Sequence, residues 1–130
     1  MSKARVLIAD DFKPTLEWVR FTLDGEFEVV GAVDNGLDAV AEVRRLDPDV
    51  LVIDLSMPIL DGLRAIAQLG PNCRTKFVLM TIRAENAFVA AAFEFGASAY
   101  VVKSDIITDL APAIRAALEG RKFTSQSIAQ

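Results

Sequence analysis

Short apolar runs alternate with segments of helical periodicity along the whole chain. The runs occupy residues 4–9, 27–33, 49–54, 76–81 and 99–103, and most of them are continuously apolar rather than alternating. Strands without polar alternation are typical of a parallel sheet that helices cover on both faces. The pattern therefore predicts five buried strands.

A segment with apolar residues every three to four positions follows each of these runs. The predicted helices are 14–24, a segment capped by Asp34 or Asn35 that ends at Leu46, and then 62–70, 85–96 and 106–119. Strands and helices in strict alternation predict an α/β fold with a doubly wound, five-stranded parallel sheet and right-handed crossovers.

The composition is that of a single globular domain. The chain has 130 residues, of which 52% are hydrophobic and 25% are charged, and this length suffices for a hydrophobic core. No apolar run reaches the ~20 residues of a membrane span, and the first run is shorter than the roughly 7–15 residues of a secretory signal. We therefore expect a cytoplasmic protein without a membrane segment.

The charge and the absence of histidine narrow the possible functions. The net charge is −4, and an acidic chain repels phosphate backbones, so this chain alone would bind nucleic acid poorly. With no histidine, the chain has no Ser-His-Asp or Cys-His triad, no histidine zinc site and no histidine phosphoryl carrier. The single cysteine, Cys73, has no histidine to activate it.

Polar side chains end four of the five predicted strands. Asp10 and Asp11 follow the first strand, Asp54 ends the third, Thr81 the fourth and Lys103 the fifth. Each aspartate alone could be a helix cap. In an open α/β sheet, however, the ligand site lies beyond the carboxyl ends of the strands, so the sequence predicts that these five side chains converge.

Three neighbouring carboxylates need more positive charge than one lysine supplies, because they raise one another's pKa. Mg²⁺ prefers oxygen ligands and typically lies between one or two carboxylates and a phosphoryl group. We therefore expect Asp10 and Asp11 to hold Mg²⁺, and Asp54 to be a nucleophile towards phosphorus. Thr81 and Lys103 would then donate to the phosphoryl oxygens.

Four segments resemble one known family in order and spacing: "ADD" at 9–11, "VIDLSMPILDG" at 52–62, "MT" at 80–81 and "GASAYVVKSD" at 96–105. Over roughly residues 3–121 the chain resembles the receiver domain of two-component response regulators. The ending "KSD", with "AIRAALEGRKFTS" after it, is similar to the LuxR/NarL type. The resemblance implies a flavodoxin-like, three-layer α/β/α fold with strand order 2-1-3-4-5.

The resemblance also implies a role for each residue at the metal site. Asp54 would be the phosphoacceptor and a metal ligand. Asp11 and the backbone carbonyl of Ser56 would bind Mg²⁺ directly, and Asp10 would act through water. The protein would not be an enzyme, but a phosphoacceptor that assists its own phosphotransfer and dephosphorylation.

Further implications concern switching and partners. Thr81 and Tyr100 would form a switch pair, and Lys103 would bind the phosphoryl group. The phosphoryl donor would be a phosphohistidine on a sensor histidine kinase, which agrees with the absence of histidine here. A homodimer is a second expected partner, through the surface of helix 85–96, the last strand and helix 106–119.

Three residues depart from the family pattern. Ile82 stands where receivers commonly carry a small residue, and its branched side chain would narrow access to Asp54. Ser104 replaces the proline that many receivers carry after the lysine, which argues against a cis peptide bond at this position. Arg83 places a cation near the mouth of the site, and we expect it to be solvated.

The predicted domain covers residues 1–122, and 123–130 would be the start of a linker or a terminal tail. A helix-turn-helix output domain is not within these residues, so we expect DNA binding only through an output domain absent from this chain. One alternative is a phosphorylation-independent, receiver-like interaction module. Another is a Mg²⁺-dependent phosphatase, which "DLS" at 54–56 disfavours because it lacks a second acid.

Overall fold

The computed structural model describes residues 2–83 and 85–126 and contains the predicted alternation of strands and helices. The strands that match the five apolar runs are Arg5–Ala9 (β1), Glu28–Val33 (β2), Val50–Asp54 (β3), Lys76–Thr81 (β4) and Ala99–Val102 (β5). The helices are Lys13–Leu23 (α1), Gly36–Leu46 (α2), Gly62–Leu69 (α3), Asn86–Phe95 (α4) and Ile106–Leu118 (α5). A short 3₁₀ turn, Lys103–Asp105, joins β5 to α5.

The sheet is parallel, and its strand order begins β2-β1-β3-β4-β5. This order confirms the predicted doubly wound fold. The chain first winds from β1 outward to β2 and then returns to β3 on the other side of β1. Ligands of such sheets bind where the winding reverses, which here is beyond the carboxyl ends of β1 and β3.

Helices cover both faces of the sheet and divide the core into two layers. All five residues of β3 are buried, because alternate side chains pack into opposite layers. One layer packs against α2, α3 and α4, and includes Leu7, Leu51, Val40, Ile66 and Ala92. The other packs against α1 and α5, and includes Ile8, Val52, Val19, Leu110 and Ile114.

Side-chain caps fix the starts of the two helices that flank the carboxyl edge of β3. Asn35, rather than Asp34, caps α2, and its side chain accepts a hydrogen bond from the Asp38 backbone N–H at 2.8 Å. Asp61 caps α3 by accepting from the Arg64 N–H at 2.9 Å. Such caps satisfy backbone donors that the first helical turn leaves without partners.

A short sixth strand, Phe123–Thr124 (β6), extends the sheet beyond β5. It pairs in parallel with Ala99 and Tyr100. The buried Ser125 fixes it further, because its N–H donates to the Tyr100 carbonyl and its Oγ accepts from the Val102 N–H, both at 3.1 Å. Residues 127–130 of the predicted tail lie outside the described residues, and the domain boundary after residue 122 stays a prediction.

Among the described residues, no helix is both long and apolar enough to cross a lipid bilayer.

Candidate functional site

Two adjacent strands bring the three aspartates together. Asp54 is the last residue of β3, and Asp10 follows β1 directly, where Ala9 lies beside Ile53. Asp10 and Asp54 are buried, whereas Asp11 is exposed. A carboxylate oxygen from each of the three lies within 4.8 Å of the others. The predicted acidic cluster at the carboxyl edge of the sheet is therefore present.

Lys103 reaches this cluster from the far side of β4. Its Nζ lies 2.6 Å from Asp10 Oδ2 and 3.5 Å from Asp54 Oδ2. The other oxygen of Asp10, Oδ1, accepts a hydrogen bond from the Phe12 N–H at 2.9 Å. Although it touches the ammonium, the buried Asp10 Oδ2 has no hydrogen bond of regular geometry within the described residues. This oxygen therefore retains capacity to bind a cation.

The surroundings of Asp54 disfavour its ionised form. The pKa of Asp54 is raised to about 6, first by burial and second by the nearby Asp10 carboxylate. The Lys103 ammonium and the Ser56 backbone act in the opposite direction without cancelling these effects. A single lysine thus leaves the ionised Asp54 carboxylate unfavourable in the folded chain.

The chemistry of the cluster fits Mg²⁺. Its donors are all carboxylate oxygens, the buried Asp10 Oδ2 has no hydrogen bond within the described part of the chain, and the ionised form of Asp54 is disfavoured. Mg²⁺ binds such oxygen sets through one or two carboxylates and keeps several waters. Asp10, Asp11 and Asp54 are the side chains that would hold it.

Thr81 and Tyr100, the predicted switch pair, meet at the backbone of Arg83. The Arg83 N–H donates to Thr81 Oγ1 at 3.0 Å, and the Tyr100 hydroxyl donates to the Arg83 carbonyl, also at 3.0 Å. Both side chains are buried, and burial raises the pKa of Tyr100. The sequence did not reveal this link, because it passes through main-chain atoms that every residue possesses.

The three residues that depart from the family pattern follow the carboxyl ends of β4 and β5. The Ile82 side chain is 81% exposed, so most of its surface faces solvent. The exposed Arg83 guanidinium lies 4.8 Å from the centroid of the Phe88 ring, close enough for a cation–π contact. The bond between Lys103 and Ser104 is trans.

The loop between β3 and α3 folds back tightly onto Asp54. A Cβ on Gly62 would lie 2.3 Å from the Asp54 carbonyl oxygen, so only glycine fits there. Within the loop, Ile59 has φ of 71°, and the Leu60 N–H donates to the Pro58 carbonyl at 2.7 Å. A positive φ is strained for a β-branched residue. Nothing in the sequence pattern singled out Ile59, and strain of this kind often accompanies a functional site.

Comparison with known proteins agrees with this geometry. The family model described as "Response regulator receiver domain" matches residues 6–115. The chain is 32% identical over 127 residues to the uncharacterized transcriptional regulatory protein YvfU of Bacillus subtilis, covering 95% of this chain and 64% of that protein. It is also 32% identical over 130 residues to the response regulator GacA of Pseudomonas viridiflava, covering 97% of this chain and 60% of GacA.

Solved structures show the same relationship. A LuxR-family two-component response regulator from Aurantimonas has a TM-score of 0.92 and 32% identity, covering 99% of this chain and 94% of that one. The isolated receiver domain of RcsB from Salmonella enterica, solved with the phosphomimetic BeF₃⁻, has a TM-score of 0.87 and 28% identity, covering 98% and 96%. The chain belongs to the response regulator receiver domain family.

Proposed function

We propose that this receiver domain accepts a phosphoryl group on Asp54, with Mg²⁺, from a phosphohistidine of a sensor histidine kinase. The observation that carries the proposal is the convergence of three carboxylates and Lys103 at the switch point of the sheet. Asp54 is the central acid, since it ends the strand between β1 and β4. The chain would assist its own phosphotransfer and dephosphorylation without being an enzyme that acts on other substrates.

In the transfer, a new bond joins a carboxylate oxygen of Asp54 to phosphorus. The bond from phosphorus to the imidazole nitrogen of the donor breaks, and that nitrogen keeps the electron pair. A Mg²⁺ ion held by Asp10, Asp11 and Asp54 would supply positive charge that stabilises the transferred phosphoryl group. Lys103 lies 3.5 Å from Asp54 and can add a second positive charge, and the Thr81 hydroxyl can donate to a phosphoryl oxygen. Both act through position and charge, as is usual in phosphoryl transfer.

Phosphorylation would be read out through Thr81, Arg83 and Tyr100. Thr81 Oγ1 now accepts from the Arg83 N–H. Turning this hydroxyl towards a phosphoryl group would weaken that bond and release the Arg83 backbone, which also anchors the Tyr100 hydroxyl. A buried tyrosine that loses its acceptor must find another or move, since an unsatisfied buried hydroxyl is costly. Thr81, Arg83 and Tyr100 would thus form an element with two alternative conformations, and phosphorylation would favour one of them.

The wider function rests on the relatives. This chain spans 64% and 60% of the length of YvfU and GacA, so their remaining residues have no counterpart in it. We infer that the chain controls an output domain, most simply a DNA-binding one, since YvfU is named a transcriptional regulatory protein. Two RcsB dimers have been solved bound to two DNAs. The histidine kinase partner and the cytoplasmic location belong to the same proposal.

The proposal is tested by incubating the chain with Mg²⁺ and acetyl phosphate and measuring its intact mass. We expect the wild type to gain one phosphoryl group and Asp54→Ala to gain none. Asp61→Asn is the matched control, because it alters the next aspartate along the chain and keeps an oxygen that can cap α3. Absence of the gain in the wild type, or an equal gain in Asp54→Ala, would count against Asp54 as the acceptor.

The alternative of a phosphorylation-independent interaction module drew on Ile82 and Ser104. Ile82 is 81% exposed, so burial of this residue against the carboxylates does not support the alternative. Partner binding that is unaffected by both phosphorylation and Asp54→Ala would favour this alternative.

A further inference from the structure

The segment after α5 turns back onto the sheet. Gly120 has a left-handed φ of 77°, and its N–H donates to the Ala117 carbonyl at 3.1 Å. The Arg121 N–H donates to the Ala116 carbonyl at 2.9 Å. Together these two bonds form a Schellman motif, which ends a helix and satisfies its last carbonyl groups. The turn is followed by β6, which lies along the outer edge of β5.

Ser125 fastens this segment to the carboxyl end of β5. Its backbone N–H donates to the Tyr100 carbonyl, and its side-chain Oγ accepts from the Val102 N–H. Ser125 is only 2% exposed, and the bond to Val102 is buried. A buried N–H group without an acceptor is costly. The Ser125 hydroxyl therefore supplies an acceptor that the end of β5 needs, at a position beyond the two residues of β6.

Val102 is the residue immediately before Lys103. It lies between two anchors, because it pairs with Thr81 of β4 on one side and bonds Ser125 on the other. Directly after Val102 the chain leaves the strand and enters the 3₁₀ turn that begins at Lys103. The bond from Val102 to Ser125 thus fixes the last strand residue before the backbone from which the Lys103 side chain extends.

The placement of this backbone matters because the lysine side chain is long. The Lys103 Nζ crosses to the acidic cluster, where it lies 2.6 Å from Asp10 Oδ2 and 3.5 Å from Asp54 Oδ2. A lysine ammonium stands on a flexible four-carbon stem, and a misplacement of about 1 Å at a reacting centre can cost roughly 100-fold in rate. A fixed backbone restricts the positions that the ammonium can reach.

We propose that Ser125 is a positioning residue for Lys103. Its hydroxyl holds the end of β5 so that the Lys103 ammonium stays at the acidic cluster and can meet the incoming phosphoryl group. The hydrogen bonds of Ser125 go to Tyr100 and Val102, so the serine acts through the backbone and does not touch the reacting atoms. The inference rests on the proposed function, since it concerns phosphorylation of Asp54.

Ser125→Ala tests the hydroxyl alone, because the variant keeps the backbone N–H that bonds Tyr100. With acetyl phosphate and saturating Mg²⁺, it should be phosphorylated about tenfold more slowly, a usual effect of removing a group that orients a reacting side chain. In EDTA, without phosphorylation, its Val102 amide should exchange with deuterium faster than in the wild type. Thr124→Ala is the matched control, since Thr124 is exposed and pairs with β5 through its backbone. Its rate should stay within about twofold of the wild type.

A double-mutant cycle distinguishes positioning of Lys103 from a general loosening of the fold. In the Lys103→Met background, Ser125→Ala should have no further effect on the rate, because the ammonium that the serine positions is absent. Circular dichroism verifies that each variant is folded. Equal slowing in both backgrounds, or a Ser125→Ala variant phosphorylated at the wild-type rate, would overturn the positioning role and leave Asp54 as the acceptor. A wild type that gains no phosphoryl group would instead contradict the proposed function, and the positioning role with it.

Discussion

Replacing Lys103 with methionine should slow phosphorylation by acetyl phosphate by about 100-fold, the usual cost of removing one charge-stabilising donor from a reaction centre. Methionine keeps much of the length and apolar volume of the lysine side chain and removes only its charge. Among the described residues, Lys103 is the only cation that contacts Asp10 or Asp54. The measurement is the initial rate of phosphoryl incorporation by intact mass, at saturating Mg²⁺.

The same change should destabilise the metal-free chain. Without the ammonium, the buried Asp10 carboxylate loses its 2.6 Å contact, and leaving a buried charge without its partner typically costs about 3–5 kcal/mol. Added Mg²⁺ should recover part of this loss. Lys76→Met is the matched control, since Lys76 is exposed at the opposite end of the sheet. If the Lys103→Met variant is phosphorylated at the wild-type rate, Lys103 does not contribute to the phosphotransfer reaction.

Replacing Asp54 with asparagine should stabilise the metal-free chain at neutral pH. The pKa of Asp54 is about 6 in the folded chain, against an ordinary value of 3.8 for an aspartate. The folded state therefore binds the proton more tightly than the unfolded state does, and ionised Asp54 opposes folding. A shift of this size corresponds to roughly 2–3 kcal/mol. Asparagine removes this cost without changing the shape of the side chain.

Because ionised Asp54 destabilises the folded chain, the stability gain of Asp54→Asn depends on pH. Above about pH 6 the full cost of ionised Asp54 is present, so the stability gain of Asp54→Asn is largest there. The gain shrinks as the pH falls from 6 towards 4, because wild-type Asp54 then becomes neutral. Urea unfolding with EDTA at pH 7.5 and 4.5 measures this difference. Glu94→Gln, at an exposed position on α4, should change stability by less than about 0.5 kcal/mol at either pH. A variant that is less stable than the wild type at pH 7.5 would contradict this electrostatic description of the pocket.

The sheet and the acidic cluster could be predicted from the sequence because two independent patterns indicate them: the apolar runs, and the polar residues that end those runs. Continuous apolar runs mark strands that are buried on both faces. A polar residue that ends such a run must lie at the carboxyl edge, which placed Asp10, Asp54 and Thr81 correctly relative to one another. Tyr100 required the family resemblance, since a single tyrosine on a strand is more often a packing residue.

Features that depend on main-chain atoms, on very short strands or on unusual backbone angles could not be predicted from the sequence. The link from Thr81 to Tyr100 through Arg83 uses the backbone N–H and carbonyl of Arg83, and any residue type offers the same atoms. Strand β6 contains two residues, too few to show a periodicity. The strained φ of Ile59 opposes the backbone preference of a β-branched residue, so local propensity argues against the observed turn.

Locating the acyl phosphate tests the central claim most directly. The chain is phosphorylated with acetyl phosphate and Mg²⁺ and then reduced with borohydride, which converts the phosphorylated carboxyl group to an alcohol that tandem mass spectrometry can place. We expect the reduced position to be Asp54 alone, with no label when EDTA replaces Mg²⁺. Label on Asp10, Asp11 or Asp61 with Asp54 unmodified, or equal labelling without metal, would contradict a metal-assisted phosphoacceptor at the end of β3.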